Sequence, residues 1–332
     1  MMTPPSWQLV AGLAAGYLLA ILQAARRQHR ARAQVQEPPS PSATAHALRA
    51  LDRKAALHHN VMNAPLAGKR ALVTGAGRGI GRGVALALAR LGAHVIINDL
   101  PGDGAHGMLE TRTTIEAMGG LCDVAPCDVA DAEAVDRMVS SVGELDIIIA
   151  NAAWSDRSGS IDEQDMSLLR RTVEVSQMGV VHVVRSGVRA LKSRVPRPDA
   201  ATAGVAPGKV VIVSSIMGVQ PLSDHAAAYS MAKAAVAHLG RCLAAELVPH
   251  RVNVNVVLPG WIDTPGERKW SSDARIEECG SKMPWGRLGT PDDVGAAAAF
   301  LCTDAADYVT GSTLVVDGGY SVSVRLPMGA ST

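Results

Sequence analysis

The chain has 332 residues, 48% of them apolar and 19% charged, which excludes a disordered or collagen-like polymer and leaves ample material for a core. Aromatics make up only 3%, with a single Phe, so Ala, Val, Leu and Ile must fill that core. The net charge of +1 divides into +5 over residues 1–64 and −4 over the rest, which argues against nucleic-acid binding by the body and points to a membrane or targeting role for the front.

Trp7–Ala25 reads WQLVAGLAAGYLLAILQAA, a stretch without a charge, followed at once by Arg26, Arg27, Arg30 and Arg32. At about 1.5 Å per residue a helix of this length spans roughly 28 Å, close to a bilayer core. A secretory signal carries its positive charge before the apolar stretch, so this order is inverted for that role. The basic flank would instead stay cytosolic. Residues 1–36 therefore read as a membrane anchor, with a cleaved organelle transit peptide as the chief alternative and a helix packing on a partner as the third. Residues 37–64 begin EPPSPSATA, a Pro/Ser linker.

From residue 65 to about 325 the chain alternates short apolar runs with helical periodicity, and 326–332 reads as a tail. Strands are expected at Arg70–Thr74, His94–Asn98, Leu121–Cys127, Asp146–Ala150, Lys209–Ser214, Val252–Leu258 and Thr313–Val316. Runs apolar on both faces and separated by helices imply an α/β fold with one doubly wound parallel sheet. That is one domain, although about 150 residues per domain would suggest two. Ser193–Gly208 reads as a surface loop within it. The five cysteines are scattered with no Cys-x-x-Cys, so neither a disulfide framework nor a metal site is expected, and the thiols should be reduced and mostly buried.

The first expected strand runs into Thr74-Gly-Ala-Gly-Arg-Gly-Ile-Gly81 and then into a helix. Glycines let backbone N–H groups approach a pyrophosphate, and the helix N-terminus adds favourable partial charge. The next strand ends in Asn98-Asp99, an acid placed to accept adenosine ribose hydroxyls and to repel a 2′-phosphate. Together these point to dinucleotide binding.

Here the sequence resembles the short-chain dehydrogenase/reductase family, over roughly residues 68–322. Thr74, Gly75, Gly79 and Gly81 match its T-G-x-x-x-G-x-G, and Ile80 lies within that loop. Asp128-Val129 resembles its adenine-contacting D-V. Ala150-Asn151-Ala152-Ala153 resembles N-N-A-G with the first Asn and last Gly replaced. Ser215, Tyr229 and Lys233 match the catalytic Ser and Y-x-x-x-K; Pro259, Gly260, Ile262 and Thr264 match the P-G-x-I-x-T that borders the nicotinamide. Asp317-Gly318-Gly319 matches a closing signature. The resemblance implies a Rossmann fold, NAD(P) as cofactor, and a homodimer or homotetramer.

Tyr229 and Lys233 fall one turn apart on the helical run AAAYSMAKAAVAHL, so they share a face. An ammonium beside a phenol favours the phenolate and lowers its pKa from about 10, making Tyr229 a general acid/base for a carbonyl/alcohol pair. Ser215 ends a strand and would hydrogen-bond the substrate oxygen, whereas its neighbour Ser214 reads as structural. The resemblance gives Lys233 a second task on the nicotinamide ribose. Where the family carries a catalytic Asn that holds a water in the proton relay, this chain has Ser176. Its shorter hydroxyl can still hold a water, with slower or rewired proton delivery.

Asp99 favours NAD over NADP, against Arg78 in the glycine loop, a charge often seen beside a 2′-phosphate. The substrate is less legible: Thr264–Pro284 forms a variable lid, with Trp154, Trp261, Trp270 and Trp285 as candidate pocket walls and His225 as a substrate-loop or surface residue. The reading is an NAD-dependent oxidoreductase of secondary alcohols or ketones. An anchored chain facing the cytosol suggests an apolar steroid-, retinoid- or fatty-type substrate. Alternatives are an NADPH-dependent 3-oxoacyl-thioester reductase and a catalytically weak dinucleotide-binding scaffold or sensor.

Overall fold

The computed structural model describes residues 64–102, 104–155, 160–194, 208–220, 226–269 and 271–323. The expected anchor and its linker, the tail from 324, His225 and Trp270 lie outside these residues. Among the described residues no helix is long and apolar enough to cross a membrane.

Seven strands form one parallel sheet in the order β3-β2-β1-β4-β5-β6-β7. They are β1 Arg70–Thr74, β2 His94–Asn98, β3 Leu121–Val124, β4 Ile147–Ala150, β5 Gly208–Val213, β6 Val252–Pro259 and β7 Thr313–Val316. The helices between them are α1 Gly79–Arg90, α2 Ala105–Ala117, α3 Ala132–Val142, α4 Met166–Val173, α5 Gly179–Arg194, α6 Ala227–Leu247, α7 Asp273–Ser281 and α8 Pro291–Cys302. Parallel strands need crossovers, and these helices supply them on both faces.

The core accordingly has two halves. On one face Leu72, Ile96 and Ile148 of the sheet pack against Val139 of α3, Val184 of α5 and Val236 of α6. On the other, Val73, Ile97 and Ile149 meet Leu88 of α1, Ile115 of α2 and Ala298 of α8. Alternate strand residues point to opposite faces, so a central strand buried on both sides reads as an unbroken apolar run.

Two expectations need correcting. The edge strands are not apolar and covered on both faces: Leu121 of β3 is 66% exposed and Val315 of β7 is 44% exposed. The third strand also stops at Val124, not Cys127: the Ala125 N–H still donates to Ile97 O at 2.9 Å, but the Ala125 carbonyl is taken by the Asn98 side chain. The five cysteines are free, four of them buried and Cys242 exposed.

The strand order reverses between β1 and β4, which opens a crevice at the carboxyl ends of the sheet. The turns after β1, β2, β4 and β5 all empty into it.

Candidate active site

The loop after β1 is shaped by two left-handed glycines, Gly75 at φ +64° and Gly79 at φ +55°, a region that L side chains rarely enter. Thr74 and Asn151 clasp this loop to the end of β4. Thr74 Oγ1 accepts from the N–H of Asn151 at 3.0 Å and of Ala152 at 3.1 Å. Asn151 Nδ2 returns a bond to Thr74 O at 2.8 Å. This accounts for the Asn surviving in the altered turn: its side chain holds the floor of the glycine loop.

Asp99 stands just past the end of β2. Its Oδ2 accepts the Gly77 N–H at 3.0 Å and its Oδ1 accepts its neighbour Leu100 N–H at 2.9 Å. A Cβ on residue 77 would lie 2.8 Å from Asp99 Oδ2, so Gly77, which motif matching leaves out, is needed for the acid to sit there. Asp128 accepts from the Ala130 N–H and from Arg171 Nη2, each at 2.9 Å. Burial works to raise its pKa, but the Ala130 amide and the Arg171 guanidinium outweigh it and hold the carboxyl below its ordinary value.

Across the crevice, α6 carries Tyr229 and Lys233 one turn apart. Lys233 is 1% exposed. Its Nζ donates to Val213 O at 2.8 Å and lies 5.6 Å from the centre of the Tyr229 ring. Burial pushes the Lys233 ammonium down to about 8. Ser214 Oγ donates to Lys233 O at 2.7 Å, pinning α6 to β5 as a structural residue. Ser215 begins a short turn, Ile216–Gly218, and its Oγ accepts the Met217 N–H at 3.2 Å.

Ser176 sits in a π-helical turn, Glu174–Met178, between α4 and α5, and is fully buried. Its hydroxyl donates to Trp154 O at 2.6 Å and accepts from Trp154 N–H at 2.9 Å. Its proton is committed to the peptide backbone of Trp154, which leaves the hydroxyl one lone pair. Ser176→Ala should strand the part-buried N–H and C=O of Trp154 and cost about 1–3 kcal/mol of stability. Denaturant unfolding checks this, and an unchanged midpoint would contradict it.

These elements surround a cavity of about 490 Å³. Gly75, Arg78, Gly79, Ile80 and Gly81 line it from the glycine loop. Asp99, Asp128, Val129 and Asn151 follow from the strand ends, then Tyr229 and Lys233, with Thr264 from the lid. Ser215 does not line it and stands next to Ser214, which does. Three matched residues play other parts than bordering the cavity. Pro259 pairs with Val316 in the sheet, the Gly260 N–H bonds Val316 O at 2.9 Å, and Ile262 is buried in the core against Gly289.

Motif matching misses Asn98, Cys127, Trp154, Arg171, Glu267 and Lys269, all of which line the cavity. Trp154 was legible only as a wall candidate. Trp261 packs instead on the small lid cluster of Ile276, Met283 and Leu288, and Trp285 is 71% exposed.

A family model described as enoyl-(acyl carrier protein) reductase matches residues 75–321, the span that carries the glycine loop, Tyr229 and Lys233. The chain is a short-chain dehydrogenase/reductase. It is 34% identical over 264 residues to cis-4-hydroxycyclohexanecarboxylate dehydrogenase of Sinomonas cyclohexanicum, covering 78% of this chain and 99% of that one. To L-xylulose reductase of Mesocricetus auratus it is 33% identical over 273 residues, 79% of this chain and 100% of the relative. Among solved structures, a short-chain dehydrogenase/reductase from Mycobacterium marinum aligns with TM-score 0.69 and 30% identity, over 79% of this chain and 100% of that one. A Beutenbergia cavernae structure with bound NADP aligns at TM-score 0.68 and 33% identity, over 78% and 98%.

Short-chain dehydrogenases/reductases bind NAD(P) and act on CH–OH groups, and the crevice fits that cofactor. Its glycine loop is open to a pyrophosphate at the start of α1. Asn98, on its wall, keeps a buried Oδ1 with no hydrogen-bond partner among the described residues.

Proposed function

We propose that this short-chain dehydrogenase/reductase is an NAD(H)-dependent oxidoreductase of secondary alcohols and ketones, the bound nicotinamide supplying or accepting the hydride. One observation carries the reading: Tyr229 and the buried Lys233 face a cavity whose far side is lined by Asp99. Tyr229 moves the proton to or from the substrate oxygen, Ser215 orients that oxygen, and Lys233 keeps a positive charge beside the phenol and holds the nicotinamide ribose. The glycine loop holds the pyrophosphate, Asp99 the adenosine ribose, and Asp128–Val129 the adenine.

The choice of NAD rests on Asp99. A carboxylate fixed by the Gly77 amide accepts ribose hydroxyls and repels a 2′-phosphate. Asp99→Ala is expected to weaken NAD use by about tenfold to a hundredfold in kcat/KM, as charged hydrogen bonds are lost, and to raise the NADP-to-NAD ratio. Steady-state kinetics with each cofactor check it, and a native NADP preference would overturn the choice.

The substrate we assign is apolar, of steroid, retinoid or fatty type. Trp154 and Val175 supply apolar wall to the cavity, and the uncharged Trp7–Ala25 segment suits delivery from a bilayer to a catalytic domain held on its cytosolic side. A dimer or tetramer through α6 and its neighbour goes with this family reading. A second reading draws on Arg78, which also lines the cavity, and on 31% identity to the rhamnolipids biosynthesis 3-oxoacyl-[acyl-carrier-protein] reductase of Pseudomonas aeruginosa. It makes the chain an NADPH-dependent 3-oxoacyl-thioester reductase. Turnover of steroid, retinoid, fatty and polyol substrates and of 3-oxoacyl thioesters, followed by NAD(P)H absorbance, separates the two.

A further inference from the structure

The segments that read adenosine converge on Asn98, the last residue of β2. Its backbone carbonyl accepts the Ala76 N–H of the glycine loop at 2.8 Å. Its side-chain Nδ2 donates to Ala125 O at 2.9 Å and to Cys127 O at 3.2 Å, in the turn that leads to Asp128 and Val129. The next residue, Asp99, is tied to the same two segments. Its carboxylate accepts from Gly77, and its carbonyl accepts the Cys127 N–H at 3.2 Å.

The sequence explains why a side chain does this work. The strand pairing of β2 with β3 ends at Val124; beyond it the Ala125 and Cys127 N–H groups still donate to Ile97 O and Asp99 O, and their carbonyls are met by the Asn98 amide. The carbonyls of Ala125 and Cys127 belong to residues that are buried, where an unpaired carbonyl is costly. A primary amide nitrogen has two hydrogens, one for each. Asn98 is 0% exposed, so water does not compete for those carbonyls.

We propose that Asn98 is a positioning residue that keeps the adenine-reading Asp128–Val129 turn in register with Asp99 and the glycine loop, and so sets affinity for the adenosine half of the cofactor. The proposal rests on the NAD(P) reading of the cavity. A purely structural Asn98 would support the fold without favouring one half of the dinucleotide over the other.

The test uses the full chain and two half-cofactors, ADP and nicotinamide mononucleotide, titrated by ligand-observed NMR beside thermal unfolding. Asn98→Leu keeps similar bulk and removes both donors; Asn98→Ser keeps one. Asn98→Leu should weaken ADP by about tenfold or more, with Asn98→Ser in between, as buried carbonyls lose their donors. Nicotinamide mononucleotide should stay within about twofold, its contacts being distant and independent. If Asn98→Leu does not fold, Asn98→Ser decides. Unchanged ADP affinity in folded Asn98→Ser, or an equal loss for both halves, overturns the proposal. Failure of the unmodified protein to bind ADP overturns the cofactor reading itself and the proposal with it.

Discussion

Tyr229→Phe is expected to lower kcat by about a thousandfold, in the range seen when a general acid/base is removed, while NADH still binds. The substitution deletes one oxygen and keeps the ring. That ring lies over the Lys233 ammonium at 5.6 Å, a contact that Phe preserves. Lys233 also keeps its bond to Val213 O and the support of Ser214 on its own carbonyl. The buried cation therefore keeps its anchors while the proton carrier is lost. Single-turnover absorbance measurements with saturating cofactor read the chemical step, and NADH fluorescence reads binding. Undiminished turnover would leave Tyr229 without a chemical role.

The central strands were legible in the sequence because burial on both faces leaves an unbroken apolar run. β1 and β2 fall where Arg70–Thr74 and His94–Asn98 predict, β4 and β6 differ by one residue at one end, and β5 is shifted by one residue at both. The glycine loop was legible for a similar reason: positive φ at Gly75 and Gly79 restricts the residue type locally. What escaped the sequence depends on groups far apart in the chain. The amide of Asn98 reaches carbonyls 27 and 29 residues away. The hydroxyl of Ser176 finds the backbone of a residue 22 positions earlier, and no periodicity reports either contact. Exposure of β3 and β7 was hidden for another reason. Strand order tells an edge from a middle, and no local run of residues reports that order. Within the P-G-x-I-x-T match, Thr264 lines the cavity while Pro259, Gly260 and Ile262 join β6 to its surroundings, a division that depends on the tertiary fold.

Lys233→Met should remove both turnover and a pH dependence of stability, and the two effects have one physical origin. The ammonium is buried with Val213 O as its acceptor among the described residues, and burial lowers it from 10.5 to about 8. The unfolded chain would hold that proton up to about 10.4. Between about pH 8 and pH 10.5 the unfolded state thus binds more protons than the folded one, so stability rises with pH across that window. Below pH 8 the fold carries the full cost of a buried cation, on the order of 3 kcal/mol for a shift of this size. Methionine, similar in bulk and uncharged, abolishes that cost; its unfolding free energy at pH 7 should exceed that of the unmodified protein and vary less up to pH 10. Catalysis needs the opposite, a cation beside the phenol, and Lys233→Met should lower kcat/KM by about a hundredfold or more. In the unmodified protein the same proton should produce a fall in cofactor affinity above about pH 8 that the methionine variant lacks. Denaturant unfolding and NADH titration from pH 6 to 10 read both effects. A methionine variant that is no more stable at pH 7 yet inactive would separate the charge's role in catalysis from any cost to the fold. Retained activity would show that the phenol works without its neighbour.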